Sequence, residues 1–222
     1  MFLWTDLVEL VRHPFSALGV IDARRRLADG LLALGLSVTL PASIAELAAL
    51  GPFRPPASLG SLPSLTAQGA DIYARWVYMH RFVIPVYGIV VSAILWLAAA
   101  GVIHVIARAL GGRGSFAGLT KLLGYAALVG LVALPVALAD ALLKLQGNAQ
   151  AELPVGQLVG LLGVAIFLWQ NALLVVATRQ HYRISTERAV AAVIGPIGAV
   201  VVLALALIIL AITLAIIAQQ PA

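Results

Sequence analysis

The chain of 222 residues is 62% hydrophobic and only 10% charged, with a formal net charge of +5. Soluble domains carry about 25% charged residues, so this composition excludes an ordinary soluble protein and predicts an all-α integral membrane protein. Because the chain has no cysteine, disulfides, thiolate metal sites and thiol nucleophiles are excluded as well.

The first predicted element is a short amphipathic helix near the N-terminus. Its polar positions are Asp6, Glu9, His13 and Ser16. These residues recur at helical spacing while apolar residues fill the other side, and Pro14 interrupts the helix. Two interpretations remain open. The helix is either an interfacial anchor or partner-binding helix on the inner leaflet, or a helix that packs against the ends of the membrane bundle.

Five apolar stretches follow, each long enough to cross a hydrocarbon core of about 30 Å. The predicted spans are Gly30–Leu50, Phe82–Ala107, Leu122–Leu143, Val155–Thr178 and Ala189–Ala218. The last stretch runs 30 residues without Asp, Glu, Lys, Arg or His, so nothing on it could face water. The chain therefore divides into a basic cytoplasmic segment, residues 1–29, and a five-span transmembrane domain, residues 30–222.

A cleavable signal peptide is the alternative to the first span, because three arginines precede it and Ser43-Ile44-Ala45 resembles a cleavage site. The basic region extends to residue 29, which is long for a signal, so we expect a membrane span.

Between the first two spans, residues 51–72 hold four prolines and three glycines and predict an irregular extracytoplasmic loop. Proline also predicts kinks in the spans. The prolines concerned are Pro41, Pro85, Pro135 and Pro196.

The distribution of Lys and Arg predicts the orientation of the chain in the membrane, since positive charge in short loops stays on the cytoplasmic side. Ten of these 14 residues fall in residues 1–29, 108–121 and 179–188, and four fall in the alternate connections. We therefore expect the N-terminus in the cytoplasm and the C-terminus outside. The same charges suit anionic lipid headgroups or a soluble partner. The candidate partner or lipid contacts are Arg24, Arg25, Arg26, Arg113, Phe116, His181 and Arg183.

Polar residues inside membrane spans are the strongest default indication of function, because burying them is costly. The candidate intramembrane polar site comprises Glu46, Asp140, His104, Gln170 and Asn171. The first three lie near span ends, and Asp140 is four residues before Lys144, so interfacial exposure and local pairing are favoured. If Glu46 and Asp140 face each other, a proton- or cation-coupled site becomes the better interpretation. The adjacent amide side chains of Gln170 and Asn171 predict hydrogen bonds to a neighbouring helix. The small residues Gly156, Gly160 and Gly163 predict close helix packing, either within the chain or in a homo-oligomer.

Motifs for catalysis and cofactors are missing from the sequence. The Gly-rich stretch 110–116 follows a membrane helix and lacks the Walker lysine in register, and the four histidines have no metal-ligand spacing. Hydrolase and membrane-protease patterns are absent too, and no basic residues cluster with aromatic residues for nucleic acid. We therefore expect no enzyme, no catalytic residue, no cofactor, no metal and no nucleic-acid partner.

One set of residues resembles a known family. The set includes His104-x-x-x-Arg108-x-x-Gly111-Gly112-x-Gly114-Ser115-Phe116, Leu122-Leu123-Gly124-Tyr125-Ala126, Pro135, Trp169 and His181-x-x-x-Ser185-x-x-Arg188-Ala189. From about residue 104 onward it is similar to the YIP (Ypt-interacting protein) family. The resemblance implies a five-span helical protein with a cytoplasmic N-terminus. Eukaryotic members are associated with Rab-type GTPases and vesicle formation, but this chain has a short amphipathic Met1–Leu18 in place of their long N-terminal region, which favours a bacterial member.

These observations predict a non-enzymatic protein of the bacterial cytoplasmic membrane. As the family resemblance implies, it would act as a scaffold, an assembly factor or a membrane-organising or trafficking partner. Membrane lipids and a protein partner or second copy are the expected contacts. The alternative is a small-solute or lipid transporter that uses Glu46 and Asp140, which requires the polar side chains of the spans to converge on one cavity.

Overall fold

A computed structural model of the protein describes residues 2–53, 64–147, 149–196 and 198, and within these the side chains of 64–68, 70 and 149–153 are not described. The described residues form helices joined by short turns. The helices are α1 (Phe2–Arg12), α2 (Pro14–Arg24), α3 (Leu27–Ala49), α4 (Ser64–Met79), α5 (Val83–Ala109), α6 (Phe116–Leu128), a 3₁₀ segment (Val129–Ala133), α7 (Leu134–Gln146), α8 (Ala149–Tyr182) and α9 (residues 186–196).

Four helical segments in the described residues are long and apolar enough to cross a membrane. They are Leu27–Ala49, Val83–Ala109, Phe116–Gln146 and Pro154–Tyr182. They coincide with the first four predicted spans, which differ from them by a few residues at each end. Most of the fifth predicted span, residues 197 and 199–218, lies outside the described residues. The described start of that span is helical and belongs to α9.

The third span is not one continuous α-helix. The 3₁₀ segment separates α6 from α7, and Pro135 lies in the first turn of α7. Proline has no N–H to donate to the carbonyl four residues earlier, and its ring crowds that carbonyl. The helix tightens to 3₁₀ geometry directly before the proline, which is where the sequence predicts a distortion.

The prediction of an irregular loop over residues 51–72 is wrong for its second part. Helix α4 begins at Ser64, and residues 54–63 lie outside the described residues. All four prolines of the loop precede residue 64, and after Pro63 the next proline is Pro85. The chain from Ser64 to Ile84 is therefore free of the residue that breaks helices most strongly.

Helix α6 is the centre of the bundle. Every residue from Leu119 to Leu128 is buried, because α2, α3, α5 and α8 all pack around it. The crossing with α3 is closest, since a Cβ at Gly30 would lie 2.5 Å from the Lys121 Cα and a Cβ at Gly124 would collide with the Gly30 carbonyl oxygen. Only glycine permits this backbone approach.

The N-terminal residues form two helices that pack onto the bundle. Helix α1 ends at Arg12 and α2 begins at Pro14, which agrees with the predicted break. Leu10 and Leu18 are fully buried in the core, whereas Trp4 is 70% exposed and Phe15 is 67% exposed. The predicted amphipathic pattern is confirmed only in part, because Asp6, a residue of the polar stripe, is buried as well.

Candidate functional site

Two turns meet at one end of the bundle, which we name the turn end. The first turn joins α5 to α6 through Gly111, whose φ of +90° requires a residue without Cβ. Gly112 and Gly114 lie directly against the ring of Tyr182, and the Arg113 N–H donates to the Tyr182 carbonyl at 3.2 Å. The turn ends at Ser115, whose hydroxyl accepts the Gly118 N–H at 3.1 Å and so caps α6.

The second turn joins α8 to α9 and is bonded to the first. Arg183 has a φ of +56°, and the Ser185 hydroxyl accepts the Arg188 N–H at 3.4 Å and so caps the start of α9. The Arg188 guanidinium crosses to the first turn and donates to the Leu110 carbonyl at 3.0 Å. The two turns are therefore one connected surface.

His181 connects both turns to the N-terminal helices. Its Nδ1 lies 2.8 Å from Asp22 Oδ2, and its Nε2 lies 3.0 Å from the backbone nitrogen of Ser115. Nε2 also lies 3.0 Å from the Ser115 carbonyl oxygen, so the ring contacts both backbone polar groups of Ser115 while Nδ1 faces the carboxylate of Asp22. Gly114 and Gly118 leave the space that the ring occupies, because a Cβ at either position would meet it.

Lys121 completes this arrangement from the second turn of α6. Its Nζ lies 2.9 Å from Asp22 Oδ1 and donates to the carbonyls of Asp22 at 2.6 Å and of Arg25 at 3.3 Å. The three donors of the ammonium group are thus satisfied, although the side chain is only 9% exposed. We call Asp22, Ser115, Lys121 and His181 the polar junction.

Burial and hydrogen bonding act in opposite directions on Asp22. Burial alone raises the pKa of this carboxyl group, but hydrogen bonds from His181 and Lys121, together with their charges, outweigh it and lower the pKa. Asp22 is therefore held as a carboxylate. That single side chain bonds α2 to both α6 and α8.

The predicted contact residues lie at the turn end or beside it. Arg25 pairs with Asp6 at 2.8 Å, and this hydrogen bond raises the pKa of the guanidinium group. The backbone N–H of Arg26 donates to Asp29 at the start of α3. The remaining candidates are exposed or partly buried on the same end. They are Arg24, Arg113, Phe116, His181 and Arg183.

The predicted intramembrane polar residues do not share one site. His104 belongs to the turn end, where it hydrogen-bonds the Tyr182 hydroxyl and contacts the edge of Phe116. Asp140 pairs with Lys144 at 2.6 Å near the opposite end, as the spacing predicts. Glu46 is half-buried in the last two turns of α3.

The two amides of the fourth span have different roles. Gln170 donates to the Ala127 carbonyl of α6 at 3.1 Å, whereas Asn171 donates to the Phe167 carbonyl of its own helix. Both line an apolar cavity of about 470 Å³ between α5, α8 and α9, and neither Glu46 nor Asp140 lines it. The convergence that a transporter would require is therefore not found for these four side chains.

Sequence reasoning missed two residues of the polar junction, Asp22 and Lys121. Lys121 counted only as one of the basic residues of segment 108–121 and as a lysine out of register for a Walker motif, because no local pattern shows which residue it pairs with. Asp22 gave no local signal, because its partners are 99 and 159 residues away in sequence. In the part of the chain that the structure describes, no three His, Asp or Glu side chains form a group that could hold a metal ion.

Comparison with known proteins identifies one family. The model of the Yip1 domain matches residues 8–209, which is most of the chain. No curated protein and no solved structure matches the chain.

Proposed function

The chain is an integral membrane protein of the Yip1 domain family, and from that premise we propose that it is a non-enzymatic scaffold or membrane-organising partner that uses the turn end as its interaction surface. The membrane we propose is the bacterial cytoplasmic membrane, with the turn end facing the cytoplasm. The excess of Lys and Arg on this side supports that orientation.

The observation that carries the proposal is the polar junction. Residues far apart in sequence are fixed by ion pairs and hydrogen bonds into one rigid surface, on which Arg113 and Arg183 remain exposed. Exposed arginines on these two turns, at the same end as the exposed aromatic residue Phe116, form the kind of patch that protein interfaces favour. A polar pathway through the spans, by contrast, lacks support, because Glu46 and Asp140 do not line the cavity that Gln170 and Asn171 line.

Site-specific photocrosslinking in cells tests the interaction. Benzoylphenylalanine replaces Arg113 or Arg183 on the turn end, and Tyr73, an exposed residue of α4 near the opposite end, provides the control position. We expect discrete protein adducts from positions 113 and 183 and none from position 73. Adducts of equal yield at all three positions, or lipid adducts alone, would contradict the proposal.

The orientation has its own test, because the chain has no cysteine. An Arg113→Cys variant carries a single thiol on the turn end. A membrane-impermeant maleimide should label it only after the cells are permeabilised. Labelling of intact cells would show that this end faces outward, and the cytoplasmic part of the proposal would then fail.

A further inference from the structure

A second site lies away from the polar junction, in a cleft of about 320 Å³ between α1 and α2. Thr5 and Glu9 of α1 form one wall, and Ser16, Val20 and Arg24 of α2 form the other. Unlike the cavity between the spans, this cleft has six residues with polar side chains among its nine lining residues, beside an apolar part formed by Ala17, Val20 and Ile21. Its volume lies at the lower end of the range of about 300–1,000 Å³ that is usual for small-molecule pockets.

The floor of the cleft is a fixed ion pair. Arg25 donates to Asp6 at 2.8 Å, and the Asp6 side chain is only 11% exposed. One guanidinium hydrogen bond goes to Asp6, and Arg25 lines the cleft with N–H donors that this bond does not use. The floor is therefore neutral in sum but still offers hydrogen-bond donors.

The walls carry one charge of each sign, from Glu9 and Arg24, and both side chains are exposed. Together with the floor, the lining holds two acidic and two basic groups. A simple anion would meet the two carboxylates as well as the arginines. The complementary ligand is one that carries both a negative and a positive group.

The exposed residues of α1 indicate that the ligand belongs to a membrane. Trp4 and Val11 are seven residues apart, which places them on one face of α1, and they are 70% and 45% exposed. A partly polar aromatic ring beside an aliphatic side chain suits the membrane interface. Thr5 of the cleft directly follows Trp4.

We propose that the cleft between α1 and α2 binds the headgroup of a zwitterionic phospholipid with a primary ammonium group. Arg24 and Arg25 bind its phosphate, and Glu9 with the Thr5 hydroxyl binds its ammonium. This inference does not depend on the proposed scaffold function, because the cleft lies outside the polar junction.

The test measures lipid retention by the full chain in nanodiscs made of phosphatidylcholine with a small fraction of phosphatidylethanolamine or phosphatidylglycerol. Native mass spectrometry counts the lipids that remain bound. We expect phosphatidylethanolamine to be enriched over both other lipids. Arg24→Gln should weaken its binding by about tenfold, which is the usual scale for a charge-assisted hydrogen bond. Arg12→Gln is the matched control, because Arg12 is an exposed arginine of the same two helices that does not line the cleft.

Glu9→Gln separates the two halves of the headgroup, since it should reduce the enrichment of phosphatidylethanolamine but leave the retention of phosphatidylglycerol unchanged. If Arg24→Gln and Arg12→Gln weaken the binding of phosphatidylethanolamine equally, the lipid is attracted by diffuse surface charge and the proposal is overturned. Phosphatidylglycerol retained as strongly as phosphatidylethanolamine would overturn it too. Soluble glycerophosphoethanolamine that binds as tightly as the lipid would exclude a membrane ligand. Thermal unfolding of each variant confirms that it is folded.

Discussion

The close crossing of α3 and α6 gives a quantitative prediction for Gly30→Ala and Gly124→Ala. A Cβ at Gly30 would lie 2.5 Å from the Lys121 Cα and 2.6 Å from its carbonyl oxygen, against an ordinary contact of 3.4–4 Å. Both obstacles are backbone atoms, so no side chain can rotate away. The two helices must therefore separate by roughly 1 Å, which disturbs the close packing of the core around α6.

The expected loss of stability follows from two opposing effects. Overpacking costs about 3 kcal/mol when the obstacle is rigid, and alanine recovers about 1 kcal/mol through its better helix propensity. The net loss is about 2 kcal/mol for each variant, or roughly a 30-fold change in the unfolding equilibrium. Gly124→Ala should lose at least as much as Gly30→Ala, because its Cβ would approach the Gly30 carbonyl oxygen even more closely.

The measurement is unfolding in mild detergent, followed by circular dichroism as denaturant is added. Gly35→Ala is the matched control, since it lies on α3 with no atom within 4 Å of the added Cβ. It should be neutral or slightly stabilising. If Gly30→Ala and Gly124→Ala unfold at the same denaturant concentration as Gly35→Ala, then α3 and α6 do not cross as closely as described. That result would refute the reasoning.

Two further predictions concern bonds between helices. Asp22→Asn removes the carboxylate of the polar junction and should cost about 1–3 kcal/mol at neutral pH. Because the folded pKa of Asp22 is below its ordinary value of 3.8, its contribution is complete above that pH and is lost as the pH falls through the folded value. The gap between wild type and variant in pH-dependent unfolding should therefore close below about pH 4, and a constant gap would contradict the assignment. Gln170→Leu removes the donor to the Ala127 carbonyl and should lower stability by about 1 kcal/mol. Asn171→Leu, whose amide bonds only within its own helix, should lose less, and the opposite order would be inconsistent with the bond from Gln170.

Much of the architecture could be predicted from the sequence, since hydrophobic runs and helix breakers act locally. The apolar stretches predicted the four described spans, and Pro14 and Pro135 marked a helix break and a 3₁₀ distortion. The Asp140–Lys144 pair followed from helical spacing. The loop prediction is wrong beyond Pro63. The prolines that favour an irregular loop all lie before residue 64, and the residues after them form α4.

The candidate site depends on contacts that no local pattern encodes. The sequence placed Ser115 and Ser185 in a family pattern and indicated His181 as a candidate contact, because residue type and charge can be read locally. Only the tertiary structure joined these turns through Asp22 and Lys121, since an ion pair across helices depends on how close the helices approach. That approach is decided by Gly30 and Gly124, where the missing Cβ atoms let α3 and α6 meet backbone to backbone. Composition thus determined that the chain enters a membrane, and packing decided which of its polar residues act together.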